Sequence, residues 1–294
     1  MLDTHPLTTP ANVLTDALNA TTVTMNGNEG ILQNDMGNAI VESKENGDLV
    51  KLPDGFVPVG TADAIREEFP QVNLIRGDGN LFWCRGMRKA WVEASRSRDY
   101  DFYFWLNDDL LLYDDSFDEM LECSRIMDHK AVIAGLVQET TTRQVIYGGY
   151  DKSKHLIPAN GELNEVCRLN GNFVLVPKCV FEKNGLFDPV YHHDLGDVAY
   201  GYETHKNGLH VCTSRKYIGC TDAALQRGNP RIRLNGVSVV KRFNKLYSPL
   251  GSDPFITFHY LNRYEGVFKA VLFFIYVHVI NLLPDCIWSR ISRS

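Results

Sequence analysis

The stretch Phe102-Tyr103-Phe104-Trp105-Leu106-Asn107-Asp108-Asp109 decides the architecture. Its five apolar and aromatic residues are too few for a helix, and without polar alternation they read as a strand covered on both faces. The run stops at two adjacent carboxylates. Before it, Met87, Ala90, Trp91 and Ala94 share one face of a helix over 87–97. After it come a helix over 117–127, strands over 131–137 and 173–176, and a helix from Lys178. This alternation predicts an α/β fold with a mostly parallel central sheet flanked by helices, in which ligands gather at the carboxyl ends of the strands.

Further out the signals thin. Thr61 is placed to cap a helix over 62–69 that Pro70 stops, and 72–75 reads as a short strand running into the turn Arg76-Gly77-Asp78-Gly79-Asn80. Residues 1–59 are rich in Thr, Asn, Gly and Asp, with only Ala39-Ile40-Val41 and Leu49-Val50 as apolar pieces. They form a divergent or incomplete amino-terminal segment ahead of a body spanning 60–265. A third part, 266–294, holds the apolar run 267–283, which Lys269, His278 and Asn281 interrupt and Pro284 ends. That falls short of the ~20 apolar residues of a comfortable membrane span. With Arg242, Lys245 and Arg263 before it and Arg290 and Arg293 after it, the run predicts an amphipathic helix, either lying on an anionic cytoplasmic membrane face or packed on the body.

With 44% hydrophobic and 22% charged residues in 294, the chain buries a large core, which excludes disorder as its dominant state. The net charge of −6 leaves no overall basic field, so nucleic acid is excluded as the expected partner. The seven cysteines (84, 123, 167, 179, 212, 220 and 286) form no CxxC pair or zinc-like cluster and read as reduced thiols. The first thirty residues lack a basic start followed by an apolar core, so the expected location is cytoplasmic, peripheral to the inner face of the plasma membrane if the carboxyl-terminal helix docks there.

Asp108 and Asp109 repel one another. A divalent cation with oxygen ligands, Mg²⁺ or Mn²⁺, would relieve that repulsion and carry substrate phosphates, whereas a solvated acidic turn capping the next helix is the plainer alternative. About ninety residues later, His192-His193-Asp194-Leu195-Gly196-Asp197-Val198 supplies a second carboxylate group. Asp197 reads either as a general base or as a cap on the helix from Val198. His192, His193 and Asp194 are also metal-ligand types, but adjacent His192 and His193 on an extended segment point to opposite faces and cannot easily share one ion.

Five pieces in order resemble the family 2 glycosyltransferases of the GT-A fold, in their rhamnosyltransferase and galactofuranosyltransferase-like branch. They are Ala62-Asp63-Ala64-Ile65 with Phe69-Pro70; Gly77-Asp78-Gly79-Asn80-Leu81-Phe82-Trp83 with Gly86-Met87 and Ala90-Trp91; Trp105-Leu106-Asn107-Asp108-Asp109; Asn170-Gly171-Asn172-Phe173-Val174-Leu175-Val176-Pro177; and Gly185-Leu186-Phe187-Asp188 with His193, Gly196-Asp197 and Gly208. The resemblance implies an inverting transfer of a sugar from a nucleotide diphosphate sugar to a glycan or lipid-linked acceptor hydroxyl, in the building of a cell-surface polysaccharide. It makes Asp109 the metal ligand, and Asp108 with Asn107 the donor contacts. Asp78 and Asn80 become secondary donor contacts, Asp197 the catalytic base, and His193, Asn170 and Trp83 the acceptor site. Gly171 would let backbone approach the acceptor pocket closely. Arg85 and Arg88 read either as phosphate partners or as solvated helix residues.

Two features depart from the family pattern. The nucleobase-binding half is not legible, Thr4-His5 and Asp54-Gly55 being its faintest traces, and Ala199 and Glu203 stand where relatives carry Asp and Arg. A non-catalytic glycan- or nucleotide-binding relative, and a metal-dependent phosphohydrolase or nucleotidyltransferase using the same acidic turn, are the competing readings.

Overall fold

The computed structural model describes four strand backbones in the amino-terminal part, 22–25, 28–35, 38–43 and 49–51, and residues 61–75, 77–222 and 231–291. The strands β1 (Thr22–Met25), β2 (Asn28–Asp35), β3 (Asn38–Ser43) and β4 (Leu49–Lys51) pair antiparallel in chain order. This is more regular structure than the polar composition of 1–59 predicts. Thr4-His5 and Asp54-Gly55 lie outside the described residues.

Helix α1 (Thr61–Glu68) takes the expected place. The strand expected over 72–75 does not form: Val72, Leu74 and Ile75 are exposed and no strand pairs with them. Helix α2 (Phe82–Ser97) begins at Phe82, ahead of the expected start, and turns in through a left-handed Phe82 with φ 56°. The body continues with β5 (Phe102–Leu106), β6 (Leu111–Leu112), α3 (Ser116–Ile126), β7 (Ala131–Glu139), β8 (Val145–Tyr147), β9 (Gly149–Tyr150) and β10 (Arg168–Leu169). Then come β11 (Phe173–Pro177), α4 (Lys178–Asn184), α5 (Gly196–Lys206) and β12 (His210–Thr221).

The central sheet runs β5-β11-β7-β12-β6, with β8 attached to β7, while β9 and β10 form a small separate ladder. The α/β fold with flanking helices is as expected; the mostly parallel sheet is not. Among the described strands of this sheet only β7 and β12 are parallel, and every other pairing is antiparallel. The reason is local. β8 returns on β7 through a short turn, and β11 inserts between β5 and β7 against the direction of both, so helix-strand alternation overstates the number of crossovers.

Side chains alternate across β5: Tyr103 and Trp105 enter one core, Phe102 and Phe104 border the other. In the first core Trp91 of α2 lies 5.3 Å from the Trp105 ring, which lies 4.5 Å from Phe187. Each aromatic buried there contributes about 2–3 kcal/mol of transfer free energy. On the other face Glu119 locks α3 to β12, taking the Arg215 guanidinium at 2.7 Å and its backbone N–H at 3.0 Å. Burial works to raise the Glu119 pKa, but the bonds from Arg215 and Cys123 win and hold it below the usual carboxylate range.

Helices α6 (Val239–Leu246), α7 (Pro254–Tyr264), α8 (Val267–Leu282) and α9 (Asp285–Ile291) close the chain. Asp253 caps α7 by accepting the N–H groups of Phe255 and Ile256. Arg233 and Arg242 converge on Asp285 at 2.5 and 2.8 Å and donate to the Leu283 carbonyl, placing two cations at the carboxyl end of α8 where its dipole favours them. No helix among the described residues is long and apolar enough to cross a membrane.

Candidate functional site

Three segments converge because the sheet makes them neighbours. β5 and β11 pair antiparallel with Leu106 opposite Phe173, so the end of one strand meets the start of the other. Asn107 extends the ladder by donating its N–H to the Asn172 carbonyl at 2.9 Å. Asn107-Asp108-Asp109 therefore lies beside Asn170-Gly171-Asn172. The third segment is the first turn of α5, whose Asp197 accepts the Gly171 N–H at 2.8 Å.

Between them opens a cleft of about 330 Å³, walled by Trp83, Asn107, Tyr147, Asn170, Asp197 and Arg231 among others. Of the residues singled out in the sequence, the cleft brings together Trp83, Asn107, Asn170, His193 and Asp197. Trp83 donates its indole N–H to Asn107 Oδ1 at 2.7 Å. A Cβ on Gly171 would stand 2.3 Å from the Trp83 ring and 3.1 Å from Asp197 Cβ, so only glycine permits this closeness. Asn170 Oδ1 is buried in the wall with no protein partner among the described residues, leaving an acceptor for a hydroxyl or water.

Asp197 is aimed by backbone geometry. Leu195 adopts a left-handed conformation, φ 68°, as the chain enters α5, and a Cβ on the following Gly196 would meet Cys84 Sγ at 2.2 Å. Strain of about 1–2 kcal/mol at a non-glycine left-handed residue persists only where the surroundings over-determine it. The Asp197 carboxylate accepts from Gly171 N–H through one oxygen and from Val198 N–H through the other, both at 2.8 Å. Desolvation is the largest influence on it; the two backbone donors oppose it, and the pKa settles at about 6. It sits inside the first turn of α5, and Leu195 holds the cap position.

Asp108 and Asp109 follow Asn107 as exposed residues and are not among the side chains that wall the cleft. Desolvation on its protein side, then the charge of Asp108, raises the Asp109 pKa. Burial raises the phenol of the cleft residue Tyr147, and the charge of Asp109 adds to it, which places that carboxylate within electrostatic reach of the cleft. Among the described residues no three His, Cys, Asp or Glu side chains group into a metal cage.

Asp78 and Asn80 do not join this set. They close on each other in an exposed turn, Asn80 N–H donating to Asp78 Oδ1 at 2.8 Å, as a short polar side chain does beside a tight turn. Arg88 donates its Nε–H to the Phe187 carbonyl at 2.9 Å, which ties α2 to the segment between α4 and α5. The His192 carbonyl accepts the N–H groups of Cys84 and Arg85, anchoring the start of α2. Glu203 accepts from Arg263 and Tyr264 in a different cavity.

Sequence reasoning does not reach Tyr147 or Arg231, and it places Asp194 among possible metal-ligand types and not as an ion-pair partner. Arg231 is ion-paired with Asp194 at the cleft wall, and Asp194 also lies 3.6 Å from His193. Nothing in the spacing announces them, since Tyr147 comes from the short return strand β8 and Arg231 from a loop.

No protein-family profile matches the chain, and no curated protein does. Among solved structures the chain is similar to GalNAc-T7 crystallised with UDP, GalNAc and Mn²⁺, at 12% identity and a TM-score of 0.44. The match takes in 67% of this chain and 40% of that one, so the chain spans about two fifths of its length.

Proposed function

We propose that the chain is a cation-assisted, inverting glycosyltransferase that moves a sugar from a nucleotide diphosphate sugar to a hydroxyl of a glycan or lipid-linked acceptor. The observation that carries this reading is Asp197: a carboxylate with a pKa of about 6, held by two backbone donors, in one cleft with Asn107, the residue that leads directly into Asp108 and Asp109. A base poised near neutrality and a separate acidic turn are the two tools that displacement at a sugar carbon requires.

In this scheme the acceptor hydroxyl lies against Asp197, which takes its proton as the oxygen forms its bond to the anomeric carbon. The bond from that carbon to the diphosphate oxygen breaks with its electron pair, and the nucleoside diphosphate departs. Asn170 Oδ1 and His193 line the acceptor side. Trp83 joins them there and, through its hydrogen bond, steadies Asn107 on the donor side, with Asp108 toward the donor sugar or ribose.

The acidic turn fits a Mg²⁺- or Mn²⁺-type ion. Such ions accept one or two protein carboxylates and complete their shell with phosphate oxygens and water, and the raised pKa of Asp109 marks a carboxylate whose negative charge lacks compensation. Asp109, with Asp108 beside it, would hold the ion, which when bound supplies charge neutralisation for the leaving diphosphate.

The test is turnover of a panel of nucleotide sugars with and without Mn²⁺, following the released nucleotide. Release of nucleoside diphosphate that requires Asp109 and Asp197 supports the reading. Release of inorganic phosphate or pyrophosphate points instead to a phosphohydrolase or nucleotidyltransferase, and absence of metal-dependent nucleotide binding in calorimetry to a non-catalytic relative.

A further inference from the structure

Helices α6 to α8 expose large apolar side chains, Val239 and Val240 on α6, Phe255 on α7 and a stripe along α8. On α8, Phe268, Leu272, Ile275, Val279 and Leu282 follow the i, i+4, i+7, i+11, i+14 spacing of one helical stripe, and each is about half exposed or more. The opposite side of α8, with Ala270, Val277 and Ile280, is buried. Beside the stripe, Phe255 of α7 is 65% exposed and lies 5.5 Å from Phe274 on the flank of α8 and 5.9 Å from Tyr247. Contiguous apolar surface of this kind on a water-exposed face marks an interaction site.

The charge of the same region says what covers it. Residues 231–294 carry nine Lys and Arg against three Asp and Glu, whereas residues 1–230 carry 21 against 33. A basic helical module thus sits on an acidic chain. Arg233 and Arg242 are committed to Asp285, Arg231 to Asp194, Arg263 to Glu203 and Lys269 to Glu265. Lys241 and Arg290 are exposed and make no ion pair among the described residues. A second copy of the chain would bring the same positive module against itself. An anionic surface with an apolar interior matches both the charge and the stripe.

We infer that α6–α9 form a membrane-docking face, on which the apolar stripe of α8 lies at the boundary of headgroups and acyl chains of an anionic bilayer while the basic side chains meet its phosphates. α8, at 16 residues, lies in that plane without crossing it. The inner side of the same helices borders the cleft: Phe273 of α8 and Ile256 of α7, packed against the core, line a smaller cavity with His193, Asp194 and Leu195, which also wall the cleft. On the reading of the site given above, docking would bring acceptor hydroxyls carried on amphiphiles to Asp197. The docking itself does not depend on that reading.

The full chain is to be sedimented with vesicles of phosphatidylcholine alone and of phosphatidylcholine with phosphatidylglycerol, in the absence of any donor or acceptor. The expected result is binding to the anionic vesicles that weakens as salt is raised. The double substitution Leu272→Ser with Ile275→Ser should lower binding by about tenfold or more, with an unchanged circular-dichroism spectrum. Lys241→Glu with Arg290→Glu, which leaves the stripe intact, should cut the preference for anionic vesicles by about fivefold per charge. No binding to either vesicle, binding indifferent to both double variants, or a dimer in sedimentation velocity that the serine variants dissolve would each overturn the inference. Because no turnover is measured, failure here and failure of the transferase reading are separate results.

Discussion

The two acidic positions of the proposed site, Asp197 in the cleft and Asp109 beyond Asn107, are built in opposite ways. Asp197 is half-buried in the cleft wall, receives two backbone N–H groups at 2.8 Å and is aimed by a strained turn, so its orientation is fixed before any ligand arrives. Asp109 is exposed, stands next to another carboxylate and has its pKa raised by desolvation and by that neighbour. One position is finished by the protein, and the other is finished by what binds. That division suits a proton acceptor, whose direction must be set in advance, and a charge site whose counter-ion arrives with the substrate.

The largest test of the contrast is Asp197→Asn, which keeps the shape and removes the base. A fall of about a thousandfold in kcat with little change in KM is expected, and a rate within tenfold of the parent would remove the assignment. Next, Asp109→Asn should lower turnover by about a hundredfold and raise the Mn²⁺ concentration needed for half-maximal rate. Its thermal midpoint should hold or rise, because a like-charge contact is relieved. A midpoint that drops steeply would mean the turn is structural.

Gly171→Ala probes the closeness that fixes Asp197. Its Cβ would enter the Trp83 ring at 2.3 Å, so urea unfolding should show a loss of about 1–3 kcal/mol and turnover should fall with it. The pH profile sharpens the comparison more gently. With the unprotonated carboxylate as the active form, kcat/KM should climb about tenfold per pH unit and level off above an apparent pKa of about 6. The stability effect has the opposite sign. Between the ordinary value of 3.8 and about 6 the native state binds the Asp197 proton more tightly than the unfolded chain, so this group's contribution to stability declines as pH rises through that window. The smallest effect expected is from Trp83→Phe, which removes one hydrogen bond of about 1 kcal/mol to Asn107 and should raise the donor KM a fewfold.

Much of the body was legible because burial wrote it into the chain. The run at 102–106 became β5 with those bounds, the amphipathic pattern near Phe117 became α3, and the strands near Ala131 and Phe173 became β7 and β11. Pairing direction was not legible, since a doubly covered strand reads alike whether its neighbour runs with it or against it. β12 escaped notice because polar Thr213, Ser214, Arg215 and Lys216 break its apolar run. In the structure Ser214 Oγ accepts the Leu136 N–H and Arg215 is satisfied by Glu119, so tertiary partners take the place of hydrophobicity. The amino-terminal strands were missed because Thr, Asn and Glu dilute their period, although Asn26-Gly27 between β1 and β2 is a hairpin dipeptide. At the site, Trp83, Asn107, Asn170, His193 and Asp197 were picked out by residue type and order. Tyr147 and Arg231 were not, because only folding brings them to the wall.

The hydrogen bond from Trp83 to Asn107 gives the cleft an optical signal of its own. Trp91 and Trp105 are sealed in the aromatic core and Trp288 lies in the last helix, so Trp83 is the indole on the cleft wall, one bond away from the acidic turn. A nucleotide settling against that turn changes the polarity and hydrogen bonding around a single fluorophore. Titrating it while following emission would separate occupancy of the cleft from the chemistry that follows.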